Sequence, residues 1–234
     1  MPRIARVAPG GQVYHVINRA GGKLKLFKKP ADFEAFEKVL IDTHQRYPVS
    51  LLGWCIMGNH WHFVVQPKRD GDLSKFFGYL SLTHAARWQV AHKAIGSGSI
   101  YQGRFKNFMI QPVEHLLSVL RFVESNPLRT NLVKRAQDWR WGSLWVRQNG
   151  SAELQELLAD WPIEQPRNWA AVVNRPQTDA EELAIKKSIH RGCPLGNESW
   201  VQRMAKKYNL QSTLRPRGRQ MGWRKATDGG KKRK

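Results

Sequence analysis

Hydrophobic and polar residues alternate near the start of the chain, as they do in a half-buried β-strand. The alternation runs over residues 12–19, which read QVYHVINR, and Gly21 and Gly22 interrupt it. A period of two places successive side chains on opposite faces of a sheet. We therefore predict a first strand at 12–19 that ends in a turn.

The next periodic segments predict a helix, a hairpin and a second helix. Apolar residues recur three to four positions apart over residues 32–47, and Pro48 ends that helix. Residues 49–66 contain two apolar stretches separated by a Met-Gly-Asn turn, which is typical of a β-hairpin. The helical repeat returns over residues 73–93.

One more strand and one more helix complete the first part of the chain. The strand is predicted at residues 100–111, and the helix runs over residues 112–126 and ends at Pro127. The order strand, helix, strand, strand, helix, strand, helix is that of a ferredoxin-like fold. We predict an α+β protein with a split βαβ antiparallel sheet, helices on one face of that sheet, and a small, basic, helical C-terminal extension.

The composition changes near residue 150, and this change predicts three segments. A first domain would span residues 1–150, a helical extension residues 151–213, and a flexible basic tail residues 214–234. Within the extension, short helices at residues 179–190 and 198–208 flank a turn, so a helix-turn-helix-like module is one interpretation of it.

The charge balance indicates a polyanionic partner. The chain has 39 Lys and Arg against 18 Asp and Glu, a formal net charge of +21. Each contact with a phosphate releases condensed counterions, so basic proteins bind nucleic acids. Residues 185–234 hold fifteen basic and two acidic residues, a net charge of +13. Nucleic acid is favoured over a membrane surface, because no long amphipathic helix with one basic and one apolar face stands out.

The sequence gives no sign of export or of membrane insertion. It has no apolar run of membrane-spanning length, and its first residues lack the apolar core of a signal peptide. We expect a cytoplasmic, nucleoid-associated protein. Cys55 and Cys193 are then expected to be free thiols.

Two histidines two residues apart are the clearest candidates for chemistry. Residues 57–65 read MGNHWHFVV, and in a strand His60 and His62 share one face while Trp61 lies on the other. Two neighbouring imidazoles suit a divalent metal ion. Hydrogen-bonded surface histidines would give the same pattern, so the pair alone leaves both interpretations open.

The helix at residues 112–126 supplies a second half of the candidate site. Its apolar stripe, which predicts the core side, consists of Val113, Leu116, Leu117, Leu120 and Val123. At about 100° per residue, Phe122 falls opposite this stripe, on the side of His115 and Asn126. That side could face the two histidines, or Phe122 could instead pack under the basic tail.

Several ordered motifs together resemble one family of bacterial transposases. The motifs are YHVINR, MGNHWHFVVQP, YQGRFKNFMIQ, LRFVESNPLRTNLV and DWRWGSL, and they lie within residues 1–147. They resemble the tyrosine transposases associated with repetitive extragenic palindromes (REP), which are relatives of the IS200-like HUH single-tyrosine transposases. The later segment RGCPLGNESWVQRMAKKYNLQSTLRPRGR resembles the C-terminal extension of one branch of that family.

The resemblance implies a metal site and a nucleophile position. The family's histidine pair holds Mg²⁺ or Mn²⁺ together with a ligand one helical turn after the catalytic tyrosine, which implies His60, His62 and Asn126 here. The family's Tyr-(Ile/Val)-x-x-Asn-Pro motif corresponds to FVESNP, so Phe122 stands where the tyrosine would be. Phenylalanine lacks the hydroxyl that attacks the scissile phosphate to form a 5′-phosphotyrosine. We therefore expect a catalytic site that binds DNA without cleaving it.

Two questions about the nucleophile stay open at this point. The phenylalanine is either an introduced substitution, which we favour because it traps an uncleaved complex, or a natural loss of the tyrosine. Tyr101 is the tyrosine nearest the matched motifs, but it opens a predicted strand and does not fit the nucleophile position.

The resemblance also implies a DNA hairpin with a single-stranded flank as the partner. Basic and amide groups beside the strands would hold phosphates, aromatic rings would stack on bases, and tail arginines would enter a minor groove. Solvated surface is the alternative for each of them, and a solubility tail for the arginines. The candidates are Asn18, Arg19, Trp61, Arg104, Phe105, Lys106, Arg215, Arg217, Arg219 and Arg224.

Three functions follow from these observations. The leading hypothesis is a REP-type hairpin-binding, metal-dependent transposase and nickase that is inactive through Phe122, as a monomer or homodimer. The alternative is a naturally non-catalytic DNA-hairpin regulator. An RNA-binding module of the same topology is disfavoured, because His60 and His62 occupy a central strand where such modules carry stacking aromatics.

Overall fold

The computed structural model describes residues 7–215 and contains a four-stranded antiparallel sheet. Its strands are β1 (Val13–Arg19), β2 (Ser50–Met57), β3 (His60–Gln66) and β4 (Lys106–Ile110), in the spatial order β2-β3-β1-β4. All three ladders are antiparallel, and β1 and β3 are the central strands. The α+β, ferredoxin-like fold predicted from the sequence is confirmed.

Ten helices accompany the sheet in residues 7–215. They are α1 (Pro30–Arg46), α2 (Asp72–Ala91), α3 (Pro112–Glu124), α4 (Asn126–Arg129), α5 (Ser143–Asn149), α6 (Ala152–Glu156), α7 (Trp169–Asn174), α8 (Asp179–Arg191), α9 (Glu198–Lys207) and α10 (Gln211–Leu214), with a 3₁₀ turn at Ala136–Asp138. The sequence predicted α1, α2, α3, α8 and α9 to within a few residues. It gave no separate helix for α4, α5, α6, α7 or α10, which are too short to show a hydrophobic period.

Helices cover both faces of the sheet. Helices α1 and α2 pack on the face that carries Tyr14, Trp54 and Phe63. Helix α3 packs on the other face, against Val13 and Val64. The prediction of helices on one face therefore holds for α1 and α2 only. The opposite face of the strands also carries apolar side chains, so helices must bury it as well.

Helix α3 is buried over more of its circumference than its apolar stripe predicts. Besides β2 and β3, it contacts α7 and α8. Phe122, predicted to lie opposite the core side, is only 5% exposed and belongs to the core. Val113, predicted to be core, is 75% exposed. Phe122 is buried because its ring packs against His62 of β3 and under the Arg129 guanidinium. Val113 is the second residue of α3, at the exposed start of the helix.

Of the strand predicted at residues 100–111, only β4 forms a hydrogen-bonded ladder, which it makes with β1. Before it, Tyr101 makes an isolated bridge to Ala20 and points its side chain into the core. The Tyr101 hydroxyl accepts a hydrogen bond from Trp61 Nε1 at 3.0 Å and lies 2.7 Å from His84 Nδ1. Burial raises the pKa of Tyr101. A buried phenol held in this way has a structural role and is a poor nucleophile.

The C-terminal helices share a core and hydrogen bonds with the sheet. Trp169 of α7 donates to the Glu124 carboxylate at 2.5 Å. Leu195 donates its backbone N–H to Met109 and accepts one from Gln111, each at 2.8 Å, so the turn between α8 and α9 lies along the β4 edge. The predicted boundaries at residues 150 and 213 and the helix-turn-helix-like module stay predictions.

Two further sequence expectations concern the cysteines and membrane spans. Cys55 and Cys193 are both buried free thiols, which confirms the prediction. Within residues 7–215, none of the helices has the length and apolar character needed to cross a membrane.

Two leucines of α2 provide a matched test of the packing on the α1/α2 face. Leu80 is fully buried and Leu82 is 73% exposed. We expect Leu80→Ala to lower the free energy of unfolding by about 2–5 kcal/mol, because it leaves a cavity. Leu82→Ala should change it by less than about 0.5 kcal/mol. Urea denaturation measures both values, and equal losses would contradict this assignment of the core.

Candidate metal and DNA site

The strand register places the two candidate histidines on the α3 face of the sheet. In the β1–β3 ladder Arg19 lies opposite His60, and Ile17 lies opposite His62. In the β1–β4 ladder Ile17 lies opposite Lys106. Directly opposed residues of neighbouring strands project from the same face. The imidazole pair is therefore flanked by cationic residues of β1 and β4.

Each imidazole is oriented through its Nδ1 atom. The two ring centroids are 4.9 Å apart. His60 Nδ1 donates to Asn59 Oδ1 at 2.7 Å, and His62 Nδ1 lies 2.8 Å from Nε2 of His15. No hydrogen bond within residues 7–215 uses Nε2 of either His60 or His62. These two Nε2 atoms are the ones available to a ligand.

The surroundings favour the neutral form of both imidazoles. Burial lowers the pKa of His60 to about 4, and the nearby Arg19 guanidinium adds to this effect. Burial also lowers the pKa of His62 well below its usual value, with further contributions from His15, His60 and Arg129. A metal ion binds neutral imidazole, so protons do not compete for these nitrogens near pH 7.

The aromatic ring at position 122 lies beside this pair, which is one of the two placements that the sequence left open. The Phe122 and His62 ring centroids are 6.1 Å apart, with the rings edge to face. Asn126 follows one turn later as the first residue of α4 and is 7% exposed. Its side chain makes no hydrogen bond to the described part of the chain. Its role as a third metal ligand stays a prediction.

Arg129 is a member of the site that the sequence analysis missed. Its guanidinium lies 4.1 Å from the centre of the Phe122 ring. One of its terminal nitrogens donates to the Phe122 carbonyl at 2.7 Å and to Ser125 Oγ at 2.6 Å, and its Nε lies 3.6 Å from the Glu182 carboxylate of α8. The spacing of seven residues from Phe122, about two helical turns, is the signal that would have found it.

Imidazole nitrogens such as the two free Nε2 atoms are of a type that divalent metal ions bind. No cluster of three or more His, Cys, Asp or Glu side chains suited to a metal occurs among residues 7–215. A site at His60 and His62 would therefore need a further donor of another type, and the family resemblance predicts the side-chain oxygen of Asn126 for this role. Imidazole nitrogen with amide oxygen is a mixed donor set, which suits Mn²⁺ better than the all-oxygen preference of Mg²⁺.

Four of the predicted DNA contacts line one groove. Asn18, Arg19, Arg104 and Lys106 surround a groove of about 280 Å³, which Ile189 of α8 also lines. The three cationic side chains are exposed, and Asn18 is 5% exposed. Because Arg19 lies opposite His60, the groove adjoins the imidazole pair.

Two predicted base-stacking residues are in the core instead. Trp61 is fully buried, and its ring stacks on Phe77 with centroids 5.6 Å apart. Phe105 is 5% exposed and packs against the same Phe77. The predicted stacking role was wrong for both residues, because their rings contribute to the core shared with α1 and α2.

The predicted basic tail is described only at its start. Arg215 is exposed and is the last described residue, and its carbonyl accepts a hydrogen bond from the Arg191 guanidinium. Arg217, Arg219 and Arg224 lie outside the described residues, and their predicted role stays a prediction.

The four-stranded sheet, the imidazole pair and α3 all lie within a region that matches a known protein family. Residues 11–126 match the model of the family described as "Transposase IS200 like". Through this region the chain belongs to the IS200-like transposase family, whose members are DNA transposases and are metal-dependent in general. No protein with a curated description matches the chain.

The solved structures that are similar to this one include two transposases. The first is a REP-associated tyrosine transposase bound to a REP hairpin, with 15% identity, a TM-score of 0.53, and coverage of 65% of this chain and 90% of that chain. The second is a putative transposase from Deinococcus radiodurans R1, with 14% identity, a TM-score of 0.38, and coverage of 52% and 94%. The first likeness shows that the two proteins share a fold.

The buried imidazoles make stability depend on pH. Burial lowers the pKa of both His15 and His84 to about 3. Below pH 6.5 the unfolded chain therefore takes up protons that the folded protein excludes, and stability falls as pH falls. Each such group contributes up to about 1.4 kcal/mol per pH unit.

Replacing one of these histidines should flatten the pH dependence. We expect His84→Gln to show a smaller loss of unfolding free energy between pH 6.5 and 5 than the parent chain, measured by urea denaturation at each pH. An unchanged slope in the variant would show that His84 does not exclude a proton in the folded state.

Proposed function

We propose that the protein binds a DNA hairpin with a single-stranded flank, and that its site is that of a metal-dependent single-strand nickase and strand transferase whose nucleophile is absent. The observation that carries the proposal is the position of Phe122. Its ring lies beside His62, on the helix that follows the last strand, where the family resemblance expects the catalytic tyrosine.

The groove beside His60 supports a single-stranded DNA segment as its ligand. Arg19, Arg104 and Lys106 present exposed cations that can hold successive phosphates. The Asn18 and Gln102 side chains at the same groove offer amide groups to base edges. The similar REP-associated transposase is bound to a REP hairpin. A hairpin with its flank is therefore the ligand class we propose here.

His60, His62 and Asn126 are the residues that would hold Mg²⁺ or Mn²⁺. Such an ion, when bound, polarises the phosphoryl oxygens and helps the 3′-oxygen to leave. The protein's own contribution is orientation: Asn59 holds the His60 ring, and the helix that carries Phe122 closes over His62. The Arg129 guanidinium above the Phe122 ring adds a fixed positive charge next to the place where a phosphate would react.

The missing hydroxyl determines what this chain does. With a tyrosine at position 122, the phenol oxygen would attack phosphorus, the bond from phosphorus to the 3′-oxygen would break, and a 5′-phosphotyrosine would form while the 3′-oxygen takes up a proton. Phenylalanine provides the same ring without that oxygen. The DNA therefore binds, and the P–O bonds on both sides of the scissile phosphate stay intact.

A natural, non-catalytic regulator of DNA hairpins is the second candidate. The ring of Phe122 is well packed under Arg129, so the site is stable without a hydroxyl at this position.

An RNA-binding module is less well supported. In residues 7–215 helices cover both faces of the sheet, and neither central strand offers an exposed aromatic ring. We propose that the protein acts in the bacterial cytoplasm, as a monomer or homodimer.

Restoring the hydroxyl tests the nickase proposal. We expect Phe122→Tyr to cleave a hairpin oligonucleotide with a single-stranded flank in Mn²⁺ or Mg²⁺ and to form a covalent adduct that denaturing electrophoresis detects. The added change His62→Ala should abolish the adduct without abolishing DNA binding. No adduct from Phe122→Tyr in any divalent metal would reject the nickase and leave the non-catalytic regulator.

Removing charges from the groove tests the DNA interface. Arg104→Ala and Lys106→Ala should each weaken hairpin binding and lower the slope of log affinity against log salt concentration by about 0.7 to 0.9, because one phosphate contact is lost. Lys38→Ala is the matched control, since Lys38 is exposed on α1 outside the groove. Fluorescence anisotropy over a salt series gives the slopes, and equal slopes for all three variants would contradict the proposed interface.

A further inference from the structure

A third histidine, His15 of β1, contacts the imidazole pair from inside the protein. It is fully buried and lies diagonally across the β1–β3 ladder from His62. Its Nε2 is 2.8 Å from His62 Nδ1, and its ring stacks on Phe108 with centroids 4.9 Å apart. His15 belongs to the YHVINR motif, but neither the family resemblance nor the proposed reaction assigns a role to it.

Packing alone does not account for a histidine at this position. The Nδ1 atom of His15 is buried and has no hydrogen-bond partner among residues 7–215. Leaving a buried polar atom without a partner costs about 1–3 kcal/mol, whereas an apolar ring stacked on Phe108 would avoid that cost. The buried His84 differs because its Nδ1 is hydrogen-bonded to Tyr101. Within the described part of the chain, the contact with His62 is thus the one side-chain hydrogen bond that favours an imidazole at position 15.

The direction of that hydrogen bond decides whether His62 can bind a metal. A neutral imidazole carries its proton on one nitrogen, and a metal ion needs the lone pair of the other. If His62 Nδ1 donates to His15 Nε2, the Nε2 atom of His62 keeps its lone pair. If His15 donates instead, the proton of His62 lies on Nε2 and blocks the metal.

We propose that His15 is a positioning residue that accepts the hydrogen bond from His62 Nδ1, and thereby fixes the tautomer and the orientation in which His62 presents Nε2 to a divalent metal ion. This inference rests on the metal site of the proposed function. Asn59 does the same for His60, because its Oδ1 can only accept a hydrogen bond from Nδ1. Acceptors placed behind ligand histidines typically change metal affinity 10-fold to 100-fold when they are removed.

Mn²⁺ binding by the full chain tests the proposal without any cleavage reaction. We expect His15→Phe to weaken Mn²⁺ binding by about 10-fold to 100-fold, measured by electron paramagnetic resonance titration. His15→Gln should stay within a few-fold of the parent, because the glutamine oxygen can accept the same hydrogen bond. His84→Gln is the matched control and should leave Mn²⁺ affinity unchanged, since His84 packs on the α1/α2 face. His15→Leu serves if His15→Phe does not fold.

A second measurement reads the tautomer directly. In the metal-free parent, ¹⁵N nuclear magnetic resonance should show His62 protonated at Nδ1, and His15→Phe should shift the proton toward Nε2. Parent-like Mn²⁺ affinity in folded His15→Phe, or protonation of His62 at Nε2 in the parent, overturns the inference. A parent that binds no Mn²⁺ rejects the proposed metal site, and the resonance measurement then decides separately whether His15 sets the tautomer.

Discussion

The pairing of β1 with β3 is the constraint on which the rest of the site depends. This ladder places Arg19 opposite His60 and sets His15 diagonally behind His62. Side chains alternate along a strand, so a slip of one residue would move the imidazoles to the α1/α2 face. The strand register alone therefore determines which of these side chains lie next to one another. The basic groove then follows from the position of β4 beside β1.

The apolar core on the α3 face of the sheet determines the surroundings of His62 and Phe122. Helix α3 and the C-terminal helices cover the sheet from one side and remove water from around His62 and Phe122. Burial is the largest cause of the lowered pKa of His62, so the ring is neutral and suited to a metal ion. Arg129 is held over Phe122 by the helix end and by Glu182 of α8. The extension thus contributes directly to the surroundings of the site.

Much of the fold and part of the site could be predicted from short-range patterns. The strand and helix order and the shared face of His60 and His62 followed from periodicity, and the place of Phe122 beside them followed from the family resemblance. Base stacking by Trp61 and Phe105 was predicted wrongly, because an aromatic residue next to a site looks the same in sequence whether it faces solvent or the core.

The sequence by itself determined the elements, the charge and the residue types of the candidate site, because these depend on neighbours a few positions apart. Only the tertiary structure decided that α3 has two buried sides and that His15 contacts His62, which is 47 residues away in the chain. It also brought Arg19 and Lys106 to one groove. Such meetings depend on strand register and helix packing, which join distant segments and leave no local pattern in the sequence.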